Sequence, residues 1–170
     1  YFNYYLTQLF MDQLYLYLFI LISYLTGSFP SAVLIGKVFY KKDVREFGSG
    51  NAGATNTFRV LGKKAGIPVL IMDIFKGWLA VNYTHLIFFS SNNIDVLFEY
   101  QLIFGISAVI GHLFPIYIGF RGGKGVATLL GLLLGIQPFA ALLSCVVFIY
   151  ILLLTRYVSL ASIFSSFAFP

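Results

Sequence analysis

Long apolar runs alternate with short polar connections along this chain, and most of the runs suit helices that cross lipid. The first extends from Leu14 to about Gly36 and is entered through Tyr15, Tyr17 and Phe19. Gly66 to about Phe89 forms the second, and Glu99 or Tyr100 to Ile118 the third. Val126 to Leu154 is long for one pass, and Gln137-Pro138 divides it into two short ones, because proline cannot continue a helix without losing a hydrogen bond. Tyr157 to Pro170 opens a sixth. The pattern predicts an all-α fold, a polytopic transmembrane helical bundle of about six spans forming one domain over residues 1–170. No internal repeat is visible. The chain begins at Tyr1 rather than Met and Pro170 interrupts an apolar run, so it reads as a fragment cut at both ends. The first run has no small-residue cleavage site of a signal peptide.

Composition strengthens the membrane reading. Hydrophobic residues make up 59% of the chain and charged ones 10%, and mean hydropathy is +0.89. A water-soluble domain of this size needs more surface charge, whereas lipid solvates the outer faces of spanning helices. The net charge of +5 does not indicate nucleic acid, because the basic residues fall in connections between spans. Lys37 to Lys64 holds seven of the eleven, which places that connection in the cytoplasm and the N-terminus outside. Ser90 to Asp95 carries no Lys or Arg and fits an outer loop, and Arg121 and Lys124 return the chain to the cytoplasm. Cys145 stands alone, so no intrachain disulfide forms.

Three features interrupt the apolar runs. Gly27-Ser28-Phe29-Pro30 breaks the first span; Pro30 frees carbonyls that need a partner other than lipid, through either a plain kink or a lining of the site. Asp73 and Lys76, three residues apart, share one helix face of the second span and are expected to pair or face the interior. Gly111-His112-Leu113-Phe114-Pro115 ends the third. His85 reads as interfacial, and the sequon Asn82-Tyr83-Thr84 lies within a span and is discounted.

Candidate chemistry lies in two glycine-rich basic stretches, Gly48–Arg59 (GSGNAGATNTFR) and Gly119–Thr128 (GFRGGKGVAT), which this topology puts on the same side. Gly48, Gly50 and Gly53 satisfy G-x-G-x-x-G, but charged loop and membrane helix flank them instead of a βαβ unit. Gly62-Lys63 and Gly123-Lys124 lack the rest of a P-loop, so ATP hydrolysis has no support. What remains is a phosphate-binding surface of glycine amides with Ser49, Asn51, Thr55, Asn56 and Thr57. Arg59 adds a bidentate cation and Lys124, between glycines, a point charge. No cluster suits a metal, and no cofactor is expected.

The order Gly27-Ser28-x-Pro30, GSGNAGATNTFR with GKKAG, Asp73-x-x-Lys76-Gly77, Gly111-His112-x-x-Pro115, GGKGVAT and RYVSLAS resembles the PlsY family over nearly the whole chain. These are bacterial membrane acyltransferases that use acyl phosphate to acylate glycerol 3-phosphate. The resemblance implies seven spans in the plasma membrane, with the active site at the cytoplasmic face. It assigns function to Ser49, Arg59 and Lys124, places Gly122, Gly123 and Gly125 around glycerol 3-phosphate, and adds Ser162. The family's final motif, a His and an Asn on a C-terminal helix, has no counterpart in this sequence. The implied partners are glycerol 3-phosphate, acyl phosphate and membrane lipid.

No Ser-His-Asp set is visible, so direct transfer is expected, with Ser49 a hydrogen-bond donor rather than a nucleophile. A substrate phosphate or His112 could be the base, although His112 reads more readily as a helix-end residue satisfied by backbone. The alternative from another class is a transporter or channel for a phosphorylated solute, with Asp73 and Lys76 lining a pathway.

Overall fold

The computed structural model describes residues 2–87 and 94–168, with side chains over 13–86 and 97–168. Among the described residues the regular structure is entirely helical. α1 (Phe2–Gly27) stops just before Pro30, and α2 (Ser31–Tyr40) restarts directly after it. A short 3₁₀ turn, Val44–Glu46, leads to α3 (Ala54–Leu61), and Gly62 separates α3 from α4 (Lys63–Asn82). α5 (Thr84–Ile87) and α6 (Ile94–Leu113) follow, and then a second 3₁₀ turn at Ile116–Ile118. α7 (Val126–Ile136) and α8 (Pro138–Thr155) meet at Gln137-Pro138, where proline takes the first helical position it favours. α9 (Val158–Phe167) ends the described chain.

Four helical stretches are long and apolar enough to cross a membrane: Gln13–Tyr40, Lys63–Leu86, Leu97–Ile118 and Pro138–Thr155. α7 and α9 fall short at 11 and 10 residues. At 1.5 Å per residue, α7 rises only about 16 Å against a hydrocarbon core of about 30 Å. The third span begins earlier than its charge suggests, since α6 starts at Ile94 and carries Glu99 on an exposed face. Phe89 and most of the expected outer loop at Ser90–Asp95 lie outside the described residues, as do Tyr1 and Pro170.

The connection expected between Lys37 and Lys64 is not simply a polar loop. α2 includes Lys37, and half of GSGNAGATNTFR is helix rather than turn. The reason is local amphipathicity. Ala54 and Leu61 pack on the cluster of Ala32, Val33, Val44, Ala52, Ala65 and Val69, while Thr55 and Arg59 stay exposed.

α4 is the central helix and touches α1, α2, α3, α6 and α7. Its closest crossing, with α7, is made by small residues. A methyl on Gly77 would strike the Thr128 carbonyl, and one on Gly131 would strike the Ile74 carbonyl. α1 meets α6 in the same way, with Gly27 against Ala108 and Gly111 against the Tyr24 carbonyl. Such contacts let backbones approach where no hydrophobic force separates helix from lipid. α8 leaves Leu142, Leu143, Val146, Ile149 and Leu153 exposed, an apolar face suited to lipid.

Candidate active site

The two glycine-rich stretches touch. The Ala52 amide donates to the Gly122 carbonyl at 3.3 Å, and a Cβ on Gly53 would sit 3.7 Å from Gly123 Cα. Each stretch runs straight into a helix, α3 after Gly53 and α7 after Gly125, and no side chain caps either first turn. Uncapped first-turn amides carry partial positive charge and suit an anion.

The first stretch folds through Gly48 and Gly50, at φ of 62° and 73°, values that penalise any residue with a side chain. Asn56 holds this turn together. Its Oδ1 accepts from the Ser49 amide at 2.9 Å, and its Nδ2 donates to the carbonyls of Val44, Phe47 and Asn51 at 2.7–3.1 Å. With 1% exposure, the Asn56 side chain is spent on the loop itself, which leaves its backbone amide, in the uncapped first turn of α3, as the group an anion could meet. Thr57 is likewise buried and donates to the Gly53 carbonyl. Ser49, Gly50, Thr55 and Arg59 are exposed, and Asn51 and Gly53 half-buried. The Arg59 stem lies against Gly48.

A brace behind the loops fixes where they sit. Asp43 accepts from Arg45 through Nε at 3.0 Å and Nη2 at 2.8 Å, and pairs with Lys37 at 3.2 Å. Arg45 Nη1 reaches across to the Ile118 carbonyl at 2.8 Å, just before the second stretch. The Arg45 guanidinium holds the Asp43 carboxyl well below the usual carboxylate range, against the opposing effect of burial. Nothing in the sequence marks this pair, which lies among other charges with no distinguishing spacing.

Beneath the loops is a buried polar cluster. Asp73 Oδ1 accepts from Ser31 Oγ at 2.6 Å and Lys76 Nζ at 2.9 Å, and His112 Nδ1 faces it at 3.6 Å. Lys76 also donates to the Phe29 carbonyl at 3.1 Å, joining the Ser31 amide at 3.0 Å on the backbone broken at Pro30. The expected pairing of Asp73 with Lys76 is present, and Ser31 and His112 join it. The Gly123 amide donates to the His112 carbonyl at 3.2 Å, and the imidazole Nε2 occupies the place a Gly123 side chain would take.

Among the described residues, no ion pair or hydrogen bond engages the side chains of Arg59, Arg121 or Lys124, and all three are exposed. Arg121 was legible in GFRGGKG beside Lys124 but escaped the expected set. Gly122 and Gly123 are half-buried, and Gly125 is buried at the start of α7. Ser162 stands apart from this constellation on α9, which packs on α8, and its hydroxyl donates to the Val158 carbonyl. A groove of about 450 Å³ between α1 and α4, lined by Ile22, Leu25, Met72 and Leu79, includes Phe29 and Lys76. The same two residues line a small cavity with Ser28, His112 and Gly122.

Comparison with known proteins converges on one group. The family described as glycerol-3-phosphate acyltransferase matches residues 17–170. Glycerol-3-phosphate acyltransferases of Staphylococcus saprophyticus and Staphylococcus carnosus are 51% and 50% identical, over 86% of this chain and 73% of theirs. The crystal structure of PlsY, an integral membrane glycerol 3-phosphate acyltransferase, in its glycerol 3-phosphate form superposes with a TM-score of 0.78 at 38% identity. It covers 90% of this chain and 73% of that one. Its lysophosphatidic acid form gives 0.75 at the same identity, over 90% and 72%. A match across nearly all of the chain, including both stretches that meet at Ala52 and Gly122, settles its membership: the chain belongs to the glycerol-3-phosphate acyltransferase family of integral membrane proteins.

Proposed function

We propose that this protein transfers an acyl group from an acyl phosphate to the primary hydroxyl of glycerol 3-phosphate, giving 1-acyl-glycerol 3-phosphate and inorganic phosphate. The hydroxyl oxygen attacks the acyl carbonyl carbon, the bond from that carbon to the phosphate oxygen breaks, and the hydroxyl proton leaves with a phosphate oxygen. Support comes above all from the contact between the two stretches, which gathers unpaired Arg59, Arg121 and Lys124 around two uncapped helix starts.

The physical need is charge neutralisation. Two dianions about 6 Å apart at an effective dielectric of about 20 repel by roughly 11 kcal/mol, before any reaction begins. Arg59, Lys124 and Arg121 offset that repulsion, with the amides of Gly48 and Gly53 on one side and Gly122 and Gly125 on the other, while the Gly50 and Gly123 amides hold the loops through the Phe47 and His112 carbonyls. Ser49 and Thr55 offer exposed hydroxyls, and Asn51 a half-buried amide, for the remaining phosphate oxygens. Holding both reactants in register contributes ~7–11 kcal/mol to lowering the barrier. The acyl chain lies in the apolar groove between α1 and α4, whose Phe29 and Lys76 also line the cavity beside Gly122. The transporter reading loses its main support, since Asp73 and Lys76 are 1% and 5% exposed and engage one another rather than a pathway.

The bundle crosses a bacterial plasma membrane about six times, with the N-terminus outside and the glycine-rich stretches in the cytoplasm, as basic residues in that connection favour. A cysteine at Lys63 (Lys63→Cys) would resist an impermeant maleimide in intact cells, and labelling from outside would reverse the orientation. For the chemistry, the full-length protein in lipid nanodiscs should convert palmitoyl phosphate and glycerol 3-phosphate to lysophosphatidate and phosphate in equal amounts. Turnover with an acyl thioester and none with the acyl phosphate would overturn the donor assignment.

A further inference from the structure

The cluster around Asp73 lies under the phosphate loops, and the proposed chemistry does not use it. We propose that Asp73, Lys76 and His112 form a positioning device for the Gly122–Gly125 loop, with His112 acting through the backbone of Gly123 rather than as the general base. This rests on the reading that the loop holds the phosphate of glycerol 3-phosphate.

His112 grips Gly123 in two ways. Its carbonyl accepts from the Gly123 amide at 3.2 Å, and its Nε2 fills the space a Gly123 side chain would need. Gly122 is wedged as well, since a methyl there would strike the His112 and Leu113 carbonyls. Gly122 in turn accepts from Ala52, next to the start of α3. The imidazole is therefore the last link between the intramembrane charges and both glycine-rich stretches.

The ring's orientation is set from its other side. Nδ1 faces Asp73 Oδ1 at 3.6 Å, and that same oxygen is fixed by Ser31 at 2.6 Å and Lys76 at 2.9 Å. The groups come from α2, α4 and α6, and Lys76 adds the Phe29 carbonyl between α1 and α2. A buried ion pair is weak evidence for stability, because apolar side chains of similar volume often do as well. What it supplies here is direction: one carboxylate oxygen aligns three helices and one ring. A general base needs a nitrogen within reach of the substrate hydroxyl. His112 is 5% exposed, with one nitrogen turned to Asp73 and the other against Gly123.

The test is a steady-state comparison of full-length Asp73→Asn, His112→Asn and His112→Ala with wild type, varying each substrate separately. Lys124→Ala serves as the reference for the loop. Positioning predicts that KM for glycerol 3-phosphate rises about tenfold in Asp73→Asn and His112→Ala, with kcat within about threefold and KM for the acyl phosphate unchanged. His112→Asn, whose amide can still face Asp73, should recover most of the loss. A fall in kcat of about 100-fold or more at unchanged KM, with one limb of the pH profile lost, would make His112 the base and overturn the proposal. Wild-type kinetics in folded Asp73→Asn would overturn it too. If Asp73→Asn does not fold, Ser31→Ala, which removes one of the contacts on Oδ1, should show the same shift to a smaller degree, and no shift there counts against the proposal. Should Lys124→Ala also leave KM for glycerol 3-phosphate unchanged, the loop assignment itself fails; a rise in Lys124→Ala alone sinks only the positioning role.

Discussion

Gly123→Ala is the most informative single methyl that can be added to this protein. Nothing about the residue's place in GGKG distinguishes it from its neighbours, but its surroundings do. The new Cβ would collide with His112 Nε2, lie 3.1 Å from His112 Cε1 and 3.3 Å from the Ala52 carbonyl. The imidazole cannot swing clear without giving up Asp73, and the Ala52 carbonyl belongs to backbone joined to Gly122. Overpacking of this kind costs about 1–3 kcal/mol, equivalent to about 5- to 150-fold in an equilibrium. If the loop binds phosphate, that factor falls on KM for glycerol 3-phosphate. Gly53→Ala faces the same seam from the other side, but at extended backbone (φ −134°) with its nearest neighbour 3.7 Å away. It should lose no more than the capping advantage of glycine over alanine, about 0.5–1 kcal/mol. The decisive variant is Gly123→Ala combined with His112→Ala. Removing the ring makes room, so the pair should be no worse than His112→Ala alone, a non-additivity that direct contact demands. Titrating glycerol 3-phosphate in the nanodisc assay reads all four proteins. Additive losses in the double variant, or Gly53→Ala as damaging as Gly123→Ala, would refute the reasoning.

Arg59→Ala and Lys124→Ala should each lower kcat/KM by about 30-fold or more, the scale of about 2 kcal/mol for a charged hydrogen-bond partner. Lys63→Ala and Lys64→Ala serve as exposed controls that change little, and near-wild-type turnover in both site variants would remove the phosphate clamp. Asp43→Asn should destabilise the protein by about 2 kcal/mol by weakening the Arg45 brace, measured by thermal unfolding in detergent. Because folding lowers the Asp43 pKa, its contribution is complete above the ordinary carboxylate value and fades only as pH falls through the folded one. The gap between Asp43→Asn and wild type should therefore be constant from about pH 8 to pH 5; a gap that closes within that window would contradict the pairing. Gly131→Ala drives a methyl into the Ile74 carbonyl at the α4–α7 crossing and should cost about 1–3 kcal/mol of stability. Gly62→Ala, with nothing within 4 Å, meets only the backbone penalty of its positive φ.

Much of the fold was legible because lipid imposes a simple rule on sequence. The breaks at Gly27–Pro30, at Pro115 and at Gln137-Pro138 fall where the helices stop, since proline cannot continue the hydrogen-bond ladder, whereas Pro68 lies within α4 without ending it. The helix over Ala54–Leu61 was hidden because glycine, Asn and Thr suggest turn chemistry, and only burial of one side against the Ala32–Val69 cluster favours helix. The pairing of Asp73 with Lys76 could be read from three-residue spacing. That Ser31 and His112 complete the cluster could not, because they lie 42 and 39 positions from Asp73 and meet it only after α2 and α6 pack on α4. The Asn56 side chain was ambiguous for a related reason: an amide suited to phosphate is equally suited to a loop's own carbonyls, and only its 1% exposure shows it turned to the loop.

The buried charges follow from the broken helix by a chain of physical necessity. Pro30 cannot donate, so the turn before α2 leaves carbonyls that lipid cannot satisfy. Lys76 adds a donor from the facing helix to the Phe29 carbonyl, which the Ser31 amide meets from the other side of the break. An ammonium at that depth needs a counter-charge, which Asp73 supplies one turn earlier, and a carboxylate there needs a further donor, which Ser31 provides, with the His112 edge 3.6 Å away. Replacing the ion pair with leucines would leave the Phe29 carbonyl with the Ser31 amide as its one remaining donor, at 3.0 Å, even if the packing were perfect. The expected signature is a Lys76→Leu, Asp73→Leu double variant that keeps its helical circular dichroism yet melts lower than wild type, and one that melts higher would show the break to be satisfied by other means.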